Sequence, residues 1–190
     1  MTDKAEMRRR ALAARAAVAE PARRHLADAI AREGLHLAAR HKAGVVSGFW
    51  PIRGEPDCRP LLEVASAAGL GTALPVVAPG QRALDFRAWR PGDPLETGRF
   101  GLSEPPASAP VVLPDLVFVP CAAFDRAGHR LGYGRGHYDA TLGFLRATKP
   151  VVAVALAFSV QEVAAVPREA HDEPVDLVLT EREIIYVTRV

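Results

Sequence analysis

Hydrophobic and polar positions change rhythm near residue 43. Before it, apolar side chains recur at helical spacing: Leu26, Ile30 and Leu37, with alanines between them, make one stripe. Thr2 or Asp3 can cap a first helix that runs to about Glu20. Pro21 stops that helix and suits the first turn of a second, which reaches about His41.

Beyond it the chain reads as short apolar runs separated by turns. Residues 45–51 form a buried strand ended by Pro51, and residues 60–65 a helix closed by Gly69. Residues 73–77 give the next strand. The Pro- and Gly-rich stretch 79–110 holds one alternating segment, residues 83–89, with the pattern of an antiparallel strand. Residues 116–120 and 151–156 are apolar strands, with a short helix over 137–146 between them; strands at 176–180 and 183–187 finish the chain. Apolar strands alternating with helices predict an α/β fold. It is a single domain over residues 1–190, a mainly parallel sheet flanked by helices, with two N-terminal helices and an inserted antiparallel segment.

Composition narrows the setting. The chain has 190 residues, 49% hydrophobic and 24% charged, which suits a globular domain and excludes disorder. Cys58 and Cys121 belong to no CxxC pair, so a zinc site lacks thiol support and a reducing, cytoplasmic setting is expected. No apolar run reaches the roughly 18 residues of a membrane span, and the charged N-terminus has no secretory pattern. The net charge of +2 is uneven. Residues 1–42 carry ten Lys/Arg against five Asp/Glu, and the remainder fourteen against seventeen. Such a basic segment meets nucleic acid, membrane or phosphate, or is simply a solvated helix face.

Chemistry concentrates in Gly128-His129-Arg130-Leu131-Gly132-Tyr133-Gly134-Arg135-Gly136-His137-Tyr138-Asp139, between a strand and a helix. Alternate glycines let backbone N–H groups turn toward one point, and a helix N-terminus adds partial positive charge. Arg130 and Arg135 offer forked donors for phosphate oxygens, and Asp139 a hard oxygen for Mg²⁺ on a nucleotide. The run is neither GxxxxGK[ST] nor GxGxxG. Phosphate binding and a plain tight turn before a helix both fit it.

This run, with Leu116-Val117-Phe118-Val119-Pro120 and Ala123-Phe124-Asp125-Arg126-Ala127-Gly128 before it, resembles the signature of the 5-formyltetrahydrofolate cyclo-ligase (methenyltetrahydrofolate synthetase) family. Lys4 and Arg8, Leu74-Pro75, Phe100-Gly101-Leu102-Ser103-Glu104-Pro105, Val166-Pro167 and His171-Asp172 match further family motifs in order. The chain departs from the pattern at His137, at Ala140 and in the loop around Glu55.

The resemblance implies ATP-dependent cyclisation of 5-formyltetrahydrofolate to 5,10-methenyltetrahydrofolate, through a phosphorylated formyl group, with release of ADP and phosphate. It implies ATP contacts from Lys4, Arg8, Arg130, Leu131, Gly132, Tyr133, Gly134, Arg135, Gly136, His137 and Tyr138, with Arg130 and Arg135 catalytic. Folate contacts fall to Trp50, Glu55, Tyr133 and His137, and Mg²⁺ to Asp139 and Asp172. The implied partners are 5-formyltetrahydrofolate and MgATP, without nucleic acid, membrane or an obligate protein partner. The alternative reading is a catalytically impaired folate- and nucleotide-binding protein of the same fold, favoured by His137 and Ala140. A nucleic-acid module built on the first helices lacks interleaved aromatics. A sugar-phosphate or CoA enzyme rests on fold analogy alone.

Overall fold

A computed structural model describes residues 3–188. Helix α1 (Lys4–Ala16) starts on Asp3, whose carboxylate accepts the Ala5 backbone N–H at 3.2 Å. Thr2, the other expected cap, lies outside the described residues. The helix stops at Ala16 rather than near Glu20, and Glu20 instead opens α2 (Glu20–Arg40) with Pro21 in its first turn. Proline is tolerated in a first turn because its missing N–H would be unpaired there anyway.

Strand β1 is Val45–Ser47, shorter than the apolar run that announces it. The Gly48 N–H still reaches Ala73 O, but the Phe49 N–H turns to Cys58 Sγ. The chain leaves the sheet there, and Pro51 could not have continued the ladder. Helix α3 (Arg59–Ala67) and a turn at Gly69 lead to β2 (Gly71–Val76), and β3 (Asp85–Ala88) pairs with β2 antiparallel. A small hairpin follows, β4 (Glu96–Thr97) against β5 (Ser103–Glu104). Then come β6 (Leu116–Pro120), a second hairpin of β7 (Ala123–Phe124) and β8 (Arg130–Leu131), α4 (His137–Thr148), β9 (Val152–Leu156), β10 (Leu177–Leu179) and β11 (Ile184–Tyr186).

Among the described residues seven strands form one sheet in the order β11-β10-β9-β6-β1-β2-β3. The five central strands run parallel and the two edges antiparallel. Side-chain alternation divides the core into two layers. Leu116, Phe118, Val154 and Leu156 pack with Leu26, Ile30, Leu37 and Leu61 of α2 and α3. Val117, Val119, Ala153 and Ala155 pack on the other face with Leu142 and Leu145 of α4. Both faces are therefore dry, which is why the central strands read as continuous apolar runs.

The connections place the crevice. From β1 the chain crosses through α3 to β2 on one side, and from β6 it crosses through α4 to β9 on the other. The strand order reverses between β1 and β6, and loops leaving their carboxyl ends diverge to opposite faces.

Candidate active site

A cavity of about 220 Å³ lies at that reversal, beyond the carboxyl ends of β1, β2 and β6. Phe49, Trp50, Ile52, Arg53 and Glu55 line it from the loop after β1, Pro75 and Val77 from the end of β2, and Pro120 from β6. The glycine loop and the first turn of α4 close a second side with Arg130, Gly132, Tyr133, Arg135, Gly136, His137, Tyr138 and Asp139. Phe100 and Leu102, from the β4–β5 hairpin, form the rim.

The β7–β8 hairpin fixes the start of the glycine loop. Asp125, 4% exposed, accepts backbone N–H groups from Ala127, His129 and Val166. Gly128 adopts φ +83°, and a Cβ there would stand 2.7 Å from Val175 O, so no other residue fits without displacement. Further along, Gly134 has φ +90° and directs the chain past Arg8, whose Nε donates to Gly132 O at 2.8 Å. Of the three alternate glycines, Gly134 and Gly136 take positive φ, while Gly132 does not.

Charge is arranged in layers around this loop. Arg130, with a side chain only 4% exposed, donates through Nη1 to Asp139 Oδ1 at 3.0 Å and to Glu173 O at 2.8 Å. Asp139 also accepts the Glu173 N–H at 3.2 Å. Arg135 is exposed, its guanidinium carbon 3.8 Å from the Phe100 ring centroid. Lys4 bridges to Glu169 at 2.7 Å and comes within 3.8 Å of Asp172, and the Glu169 hydrogen bond holds its amine above the ordinary lysine range. Asp172, in a turn, accepts the Glu169 N–H at 2.7 Å and lines a second depression with His129 and Arg168.

The opposite wall is drier. Glu55 is 7% exposed. Its Oε1 accepts the Tyr133 hydroxyl at 2.8 Å and its Oε2 the Ile52 N–H at 2.9 Å. Burial raises its pKa against the pull of these hydrogen bonds and of nearby Arg15 and Arg53. Burial, reinforced by the Glu55 charge, pushes the Tyr133 hydroxyl up to about 12. Trp50 meets Trp89 edge-on at 5.9 Å between centroids, and the Arg59 guanidinium lies 5.2 Å over the Trp50 ring. His137 has Nδ1 2.7 Å from Arg82 O, which makes Nδ1 the donor; its Nε2 is buried without a hydrogen-bond partner among the described residues.

The structure thus gathers most of the residues that the sequence singles out. Trp50, Glu55, Arg130, Tyr133, Arg135, His137, Tyr138 and Asp139 share one cavity. Lys4, Arg8 and Asp172 stand just outside it, and Leu131 is turned away into a small core with Met7, Ala11 and Val166. Tyr138 is held protonated by burial, packed against the α4 face of the sheet. Several cations of the first helices are engaged within the protein: Arg9 and Arg10 share Glu6, and Arg23 donates to the carbonyls of Arg15, Val18 and Gly54. No sequence motif singles out Arg15 as a site residue. It is 2% exposed, and its Nη2 donates to the Tyr133 hydroxyl at 2.8 Å. The signal was available, because Lys4, Arg8, Ala11 and Arg15 follow a single helix face.

Among the described residues no group of three or more His, Cys, Asp or Glu side chains is placed to hold a metal ion. That does not conflict with Mg²⁺ on a nucleotide, which takes one or two carboxylates and completes its shell with phosphate oxygens and water. Asp139 lines the cavity, whereas Asp172 lines the second depression.

Comparison with known proteins gives a consistent picture. Residues 1–181 match the model of the 5-formyltetrahydrofolate cyclo-ligase family. A 5-formyltetrahydrofolate cyclo-ligase of Mycolicibacterium smegmatis is 33% identical, over 98% of this chain and 97% of that protein. The enzyme of that name from Escherichia coli K12 is 35% identical, over 75% of this chain and 80% of its own length. The NMR structure of Aquifex aeolicus 5,10-methenyltetrahydrofolate synthetase superposes with a TM-score of 0.80 at 29% identity, covering 98% of this chain and 94% of that one.

Proposed function

The chain belongs to the 5-formyltetrahydrofolate cyclo-ligase family, and on that premise we propose that it closes the N5-formyl group of 5-formyltetrahydrofolate onto N10 at the expense of ATP. One observation carries the reading. The crevice at the reversal of strand order has a dry wall with a buried carboxylate and a tryptophan, and facing it a glycine loop with two arginines. The planar pyrimidine half of a reduced pteridine suits the first wall and a triphosphate the second.

The chemistry proceeds in two stages. The formyl oxygen attacks the γ-phosphorus, the bond to the bridging oxygen breaks, and ADP leaves. N10 then attacks the activated formyl carbon, loses its proton, and phosphate departs as the methenyl bridge closes. An amide oxygen is a poor leaving group, and its phosphorylation makes it a good one.

No protein nucleophile is needed; the site aligns, neutralises and excludes water. Glu55 accepts N–H groups of the pterin, and the Trp50 face packs on an aromatic ring. Arg135 leaves Phe100 to meet the transferring phosphoryl group, while Arg130 keeps the loop in shape. Lys4 and Arg8 reach the distal phosphates from α1. Asp139 and Asp172 would hold Mg²⁺, which supplies charge neutralisation on the phosphate oxygens. His137 borders both substrates from the first turn of α4. Residues from 4 to 172 contribute, so residues 1–190 act as one functional domain.

The test is direct. Appearance of the methenyl chromophore is followed with and without MgATP, beside an Asp139→Asn control. ATP-dependent product from the wild-type chain is expected. Ligand binding with no product would favour an impaired binding protein instead.

A further inference from the structure

Arg15 is the largest of the fully buried side chains among the described residues, and no step above uses it. Burying a guanidinium is costly unless its donors are met. Here Nη2 meets Tyr133 Oη at 2.8 Å and Arg53 O at 2.9 Å, and Nη1 reaches Cys121 O at 3.5 Å. Among the described residues Nε has no hydrogen-bond partner. A cation held at such expense, one hydroxyl away from Glu55, calls for a role.

A phenol has one hydrogen to give. The Arg15 N–H occupies a lone pair of the Tyr133 oxygen, so that hydrogen is left for Glu55 Oε1. The Ile52 N–H holds the other carboxylate oxygen, and the carboxylate plane is fixed from both ends. Arg8 grips Gly132 O from the same helix, so α1 holds two successive residues of the glycine loop.

We propose that Arg15 is a positioning residue for the folate substrate, acting through the Tyr133 hydroxyl to keep the Glu55 carboxylate ionised and correctly turned. The proposal rests on Glu55 being a folate contact.

The groups around Glu55 set the sign of its pH response. Arg15 from α1 and Arg53 from its own loop favour the anion. Tyr133 from the glycine loop, Cys58 before α3, Cys121 after β6 and Tyr138 on α4 feel its charge, and burial holds all four neutral. Removing the Arg15 charge lifts the carboxyl further, so folate capture fails at a higher pH.

The experiment measures kcat/KM for 5-formyltetrahydrofolate at saturating MgATP across pH, together with the ATP KM, for Arg15→Met, Arg15→Lys, Tyr133→Phe and Glu55→Gln. Arg15→Met is expected to raise the folate KM about tenfold with the ATP KM within about twofold. Its acidic limb is expected to move up by about one pH unit. Arg15→Lys, which keeps the charge, recovers part of that shift. An unmoved limb, or equal changes in both KM values, overturns the proposal. If Arg15→Met does not fold, Arg15→Lys decides, because it keeps the charge and loses the forked donor that meets the Tyr133 hydroxyl; a raised folate KM with the ATP KM unmoved supports the proposal and an unmoved folate KM overturns it. Glu55→Gln separates the two levels. If it leaves the folate KM unchanged, the folate-site reading fails and takes the proposal with it. If it raises that KM while the other three variants do not, the relay alone is wrong.

Discussion

Arg130 and Asp139 close the glycine loop on itself: Nη1 of the one lies 3.0 Å from Oδ1 of the other across nine residues of chain. Asp139 is therefore part of the loop's frame as well as the oxygen proposed for a cation. Asp139→Asn keeps an acceptor for Arg130 and loses the negative charge. We expect about a 10–100-fold loss in kcat/KM for MgATP, with about 1 kcal/mol of stability lost. Initial rates titrated with Mg²⁺, beside a thermal melt, check this. Wild-type turnover at limiting ATP would contradict it.

Arg135 has the opposite character, exposed and stacked on Phe100, itself exposed. Its removal takes nothing from the core. Arg135→Ala is expected to lower kcat/KM for ATP by about tenfold or more, while Tm moves by less than about 2 °C. A large fall in Tm with unchanged kinetics would assign Arg135 to the fold instead.

Glu55 makes stability depend on pH with a definite sign. Its carboxyl is raised by burial, so between the unfolded value, about 4.3, and the higher folded value the native chain holds more protons than the unfolded one. Its contribution is most favourable below that window and is lost as pH rises through it. Glu55→Gln lacks this loss. Denaturant melts at about pH 4 and pH 7 should show the stability difference moving in the variant's favour at the higher pH. A pH-independent difference would place the carboxyl in an ordinary environment.

Gly128 combines a left-handed backbone with a close approach to Val175 O. Gly128→Ala is expected to cost about 2 kcal/mol or more, from the φ penalty plus displacement of that carbonyl. For a chain of this size the corresponding fall in Tm is about 4–8 °C. A melt unchanged within error would mean that the β7–β8 hairpin relaxes freely.

Much of the fold was legible because its signals are local. Residues 116–120 and 151–156 announce strands by being apolar on both sides, and the glycine loop announces a strand-to-helix turn. The strand predicted over 45–51 is cut to Val45–Ser47 because Phe49 and Trp50 are drawn into the cavity, a tertiary demand that no apolar run reveals. The β4–β5 hairpin has strands of two residues, below any periodic signal. Glu55 and Arg15 were the least legible. Each looks like a solvated charge in sequence, and only the pairing through Tyr133 explains why both are buried. The family resemblance points to Glu55 although its loop departs from the pattern, whereas no family motif includes Arg15.

Helix α1 stands apart from the two layers that sandwich the sheet; it rests on the β7 hairpin and the short turn after β9. A protease that clipped the chain just after Ala16 would leave those layers largely whole, yet carry off Lys4, Arg8 and Arg15 together. Such nicked material would lose one of the four α-helices among the described residues and, on the proposed roles of those side chains, its turnover, so batches of this protein are best judged by intact mass before any loss of turnover is blamed on a substitution.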